Sequence, residues 1–121
     1  MAEHYSSFDR GGRRWLFQRL TAVFLVGVLA FHFMLLHFVN HAADLTFLGT
    51  QARMNRPWYL ITMWLFLVTA TFHGVNGVYN ALVNQGLTGS RKNAVKYLLG
   101  IAGILLIVQG TRVSLAMTTL V

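Results

Sequence analysis

The run LFQRLTAVFLVGVLAFHFMLLHF at residues 16–38 is apolar almost throughout. At about 1.5 Å per helical residue it is long enough to cross roughly 30 Å of hydrocarbon. Two more runs of the same kind follow, at 58–83 and 95–120. Alternation of apolar and polar residues at period two is absent, which disfavours a transmembrane barrel. The expected fold is an all-α membrane protein of three transmembrane helices, with residues 1–121 forming a single membrane-anchor domain. Composition agrees: 55% hydrophobic residues, 11% charged residues and a mean hydropathy of +0.54 are too apolar for an ordinary soluble domain. The first run is too long for a secretory leader and is expected to be retained as a span.

The formal net charge of +7 is gathered at the ends of the spans. Arg10, Arg13, Arg14 and Arg19 precede or open the first, and Arg91, Lys92 and Lys96 flank the second connection, against only Arg53 and Arg56 in the first. The positive-inside bias then places the N-terminus and the loop around Gly86 to Asn93 in the cytoplasm, with the Asn40 to Arg56 loop and the C-terminus outside. Flanking clusters of this kind suit anionic lipid headgroups, and nucleic acid is not implied. Trp15, Trp58 and Tyr59 fall at interface depth, as aromatic anchors do. With no cysteine, the chain offers no thiolate ligands, so any iron–sulfur centre must belong to a partner.

His32 and His73 lie inside separate spans, where an imidazole needs a partner to justify its burial. His32 is roughly 24 Å along its helix from the inner end near Leu16, and His73 about 13 Å from the inner end near Leu82. An offset of roughly 10 Å forbids ligation of one haem iron by both, so each would need a second histidine from elsewhere. After His73, Gly77, Asn80 and Asn84 follow at i+4, i+7 and i+11, with Asn76 close by, a polar stripe on one helix face. Glycine one turn from the ligand would leave room for a macrocycle edge. Helix packing is the plainer alternative: Gly74 and Gly77, like Gly100 and Gly103, permit close crossing, and interhelical hydrogen bonds would absorb the asparagines. Arg112 interrupts the third span near the depth of His32, suiting either a haem propionate or a headgroup reached by snorkelling. Arg19 poses the same choice at the inner end. His37, His41 and Asp44 stand at i, i+4 and i+7, a spacing open to a divalent metal but more often simply hydrated.

The stretches Phe17-Gln18-Arg19-Leu20-Thr21-Ala22, with His32 in the same span, and Thr71-Phe72-His73-Gly74-Val75-Asn76-Gly77 resemble the three-span anchor subunits of succinate:quinone oxidoreductase (succinate dehydrogenase, complex II), most nearly the archaeal hydrophobic anchor. The resemblance covers nearly the whole chain. It implies that His73 is an axial ligand of a proximal haem b and His32 of a distal one, with a second membrane anchor subunit supplying the other histidine of each pair. It further implies docking of an iron–sulfur and a flavoprotein subunit, electron transfer to a quinone, commonly menaquinone in two-haem relatives, and a site in the cell membrane. Better-known anchors carry an Asp-Tyr pair eleven and twelve residues after the proximal histidine, where this chain has Asn84 and Gln85. A quinone contact must then come from elsewhere, with Arg19 and Asn84 the nominees among Tyr79, Asn80 and Trp15.

The chain carries no nucleophile–base pair, carboxylate dyad or phosphate loop, so succinate oxidation itself is not expected on it. Single-haem and haem-free anchors remain alternatives. So do a histidine-based transporter and a scaffold, although the mostly Leu, Phe and Val residues between His32 and His73 give a proton relay no stepping stones.

Overall fold

The computed structural model describes residues 10–118. Residues 1–9 and the expected close of the third span at 119–120 lie outside the described residues. Helix α1 spans Arg10–Met34 and runs on through a wider turn at Leu35–Val39, closed by the Asn40 N–H donating to the Leu35 carbonyl at 2.9 Å. Helix α2 is Phe47–Met54, α3 is Pro57–Asn84 and α4 is Gly89–Ala116. Among the described residues three helices are long and apolar enough to cross a membrane: Gly12–Val39, Pro57–Asn84 and Gly89–Ala116. The third begins at Gly89 rather than at Val95, because a helical turn tolerates the polar Ser90, Arg91, Lys92 and Asn93 where it stands in headgroups instead of hydrocarbon.

Short α2 was not legible in the loop between the first two spans. Thr46 starts it by accepting a hydrogen bond from the Gly49 N–H at 3.0 Å. It stops before Arg56, whose backbone is extended (φ −85°, ψ 119°) as the residue before a proline requires. Pro57 then opens α3, where its missing N–H costs nothing.

Helix α3 is central, packed on α1 along one side and on α4 along the other. The α4 contact is close because of two glycines. A Cβ on Gly103 would lie 3.1 Å from Val75 Cγ2 and 3.3 Å from Thr71 Cγ2, and one on Gly110 would lie 2.5 Å from Leu67 Cδ2. Gly100 and Gly74, by contrast, face no neighbour within 4 Å. Trp64 Nε1 donates to Thr111 Oγ1 at 2.9 Å across the same seam. Tyr59 and Met54 are the only buried hydrophobic side chains among the described residues. Nearly all the rest of the apolar surface points outward, Val23 being 74% exposed, which suits lipid or a partner helix.

Candidate functional site: two imidazoles on one helix interface

His73 projects from α3 onto the N-terminal half of α1. Thr21 Oγ1 lies 2.7 Å from the Phe17 carbonyl and 3.0 Å from that of Gln18, so its one hydrogen is directed to its own helix. The oxygen is then left to accept from His73 Nδ1–H, 3.1 Å away. That tautomer leaves the lone pair on Nε2, the nitrogen free to ligate a metal. Facing Nε2 at 3.5 Å is the Gln18 side-chain amide, which donates to the His73 carbonyl at 3.2 Å and accepts from Asn76 Nδ2 at 2.7 Å. A Cβ at Gly77 would stand 3.2 Å from Gln18 Nε2, so this glycine admits the glutamine. His73, Asn76 and Gly77 therefore converge on α1, whereas Asn80 and Asn84 are exposed. In the sequence Gln18 and Thr21 stand only as parts of the first-span motif. The signal was present: two polar residues three apart in an apolar run share a helix face.

His32 lies on the same α1–α3 interface, well beyond this cluster. Thr21 is level with His73, and His32 is eleven residues further on, a rise of about 16 Å. The two rings thus stand at different levels along α1, about 16 Å apart rather than roughly 10 Å. His32 borders a cavity of about 80 Å³ with Val28 and Leu29 of α1 and Met63 and Phe66 of α3. No side chain among the described residues bonds to its ring, and the other residues of the recess are apolar.

The other nominated residues are scattered. Arg19 is exposed on α1, its guanidinium 4.6 Å above the Trp15 ring. Arg112 is exposed on α4 and lines neither the His32 recess nor its neighbouring cavity. His37 stacks on Phe33 with centroids 4.1 Å apart, and its Nδ1 lies 3.2 Å from the Phe33 carbonyl. The i, i+4, i+7 row it was to form with His41 and Asp44 does not exist. The helix ends after Val39 and His41 turns with φ 45°, so no group of three potential metal ligands occurs among the described residues. Tyr59 is 7% exposed, its ring edge-on to Trp58 at 5.6 Å.

Between the N-terminal parts of α1 and α4 and the C-terminal half of α3 lies a cavity of about 280 Å³, near the lower limit for ligand pockets. Arg14, Asn76, Tyr79 and Lys96 line it above Phe72 and Leu99. Its polar wall joins the His73 cluster through Asn76.

Over residues 3–111 the sequence matches the succinate dehydrogenase/fumarate reductase transmembrane subunit family. This chain belongs to that family. It is similar to the succinate dehydrogenase hydrophobic membrane anchor subunit of Thermoplasma acidophilum, 23% identical over 81% of this chain and 80% of the relative. It is also similar to the protein of that name in Archaeoglobus fulgidus, 27% identical over 79% of this chain and 81% of the relative. Family and helices together make it a multi-pass membrane protein.

Proposed function

We propose that this chain is the hydrophobic anchor of a succinate:quinone oxidoreductase, carrying one axial imidazole for each of two b-type haems. The carrying observation is the pair of histidines on a single α1–α3 interface at separate levels, His73 with its Nδ1 engaged by Thr21 and His32 with no side-chain hydrogen bond among the described residues. The residues fit the group. Thr21 fixes the tautomer and ring orientation at the inner site, as second-shell partners of ligating histidines do. At the outer site the apolar recess matches a macrocycle edge, and the exposed flanks leave room for a second imidazole from a partner anchor subunit. Haem bound there would supply one-electron transfer between the iron–sulfur subunit and quinone.

At the inner end, Tyr79 and Asn76 offer hydrogen-bond donors to a quinone carbonyl, and Phe72 and Leu99 offer an apolar floor. Menaquinone is the expected quinone. Arg19 and Asn84 are placed to meet a propionate or quinone shared with the partner. The basic inner ends face the cytoplasm, where flavoprotein and iron–sulfur subunits dock.

One contact favours a second reading, an anchor without haem at His73: the Gln18 amide stands at Nε2 and must step aside for iron. At 3.5 Å it is the weakest polar contact of the cluster. Haem analysis of the purified complex separates the readings. His73→Ala should remove one b-type band and His32→Ala the other. A spectrum unchanged by His73→Ala supports the second reading, and the complete absence of haem defeats both axial assignments.

A further inference from the structure

The geometry points to Arg53 and Arg56 as the cationic clamp for the propionates of the haem at His32, a role that rests on the axial assignment of His32 above. Next to the His32 recess, toward the outer end, lies a second cavity of about 270 Å³, bounded by Leu35, Val39, Asn40 and Tyr59 together with these two arginines. The two cavities follow one groove. Val28 and His32 of α1 are followed by Leu35 and Val39 of the wider turn, and on α3, Tyr59, Met63 and Phe66 fall at i, i+4 and i+7. Read from the membrane interior outward, the groove is apolar, then presents an imidazole, then two guanidinium groups. That is the order of a porphyrin's own surface from its apolar edge through the iron to its carboxylates.

At Arg53 the guanidinium is incompletely matched, while Arg56 is exposed beside it on the same cavity. Arg53 is half-buried, one of its terminal amines donates to Thr50 Oγ1 at 3.2 Å, and its Nε is buried without a hydrogen-bond partner. A buried guanidinium donor left open is costly and is normally matched. Asp44 is the only carboxylate among the described residues, and it lies outside this cavity. The rigid fork of arginine suits a planar carboxylate in two-point contact, and α2, which packs on α3, carries Arg53 in its last turn. Arg112, on the far helix α4, takes no part.

The test is a redox titration of the intact complex, following the haem band that His32→Ala removes. Removing positive charge beside the propionates favours the more positive, oxidised haem, so Arg53→Gln with Arg56→Gln should lower the midpoint of that band. The expected size is at least a tenfold change in the ratio of reduced to oxidised haem, about 59 mV for one electron. The inner band should not move, and Arg53→Lys should recover part of the shift by restoring charge without the fork. An unshifted outer band in the double variant, with haem retained, overturns the clamp while leaving His32 as ligand. So does a shift produced by Arg112→Gln instead, or one matched in the unaltered protein by stripping anionic lipid. If no band depends on His32, the axial assignment and the clamp fall together.

Discussion

At the scale of single residues, the inner site depends on a proton whose position Thr21 decides. Thr21→Val removes the acceptor for His73 Nδ1–H while keeping the side chain's shape. Haem affinity at His73 should fall about 10–100-fold, as for other second-shell partners, with Thr21→Ser restoring it. Haem content after detergent washing reads this directly. Gln18→Ala should behave differently. It strips Asn76 and the His73 carbonyl of a partner, lowering stability by about 1 kcal/mol on the scale of membrane hydrogen bonds, yet clears Nε2 and so leaves haem content undiminished. The depth of each imidazole was legible from position in the run. Its neighbours were legible only in part, because Gln18 and Thr21 mark one face of α1 but not which helix that face meets. Thr21 and Gln18 therefore entered only as parts of a motif, and Arg53 only as a charge to count.

At the scale of elements, the three spans could be read from length and hydropathy alone, and the misplaced boundary at the third shows what that reading weighs. It follows hydrocarbon, whereas the helix follows backbone hydrogen bonding and extends into the headgroups from Gly89. Helix α2 escaped notice because its start depends on one threonine cap in a polar stretch rather than on periodicity. Packing of α3 on α4 is set by Gly103, whose neighbours Val75 and Thr71 are β-branched and stiff on a helix. Gly103→Leu should therefore force the pair apart at a cost of about 1–3 kcal/mol, measurable as reduced resistance to denaturing detergent. Gly74→Ala, with no neighbour within 4 Å, should be close to neutral in the same assay.

At the scale of the whole molecule, the chain is a three-helix layer whose polar chemistry lies on one internal seam and whose outer faces are left for lipid and partners. Its orientation can be tested cleanly because the protein has no cysteine. Ser90→Cys should react with an impermeant thiol reagent only from the cytoplasmic side, and Ala52→Cys only from the opposite side. The reverse pattern would place the inner cavity away from the dehydrogenase. The most direct measurement, however, is haem stoichiometry in the purified, intact complex. The expected result is two b-type haems per copy of this chain, one lost with His73→Ala and the other with His32→Ala. A complex that retains quinone reductase activity while containing no haem, or whose haem content is indifferent to both substitutions, would contradict it.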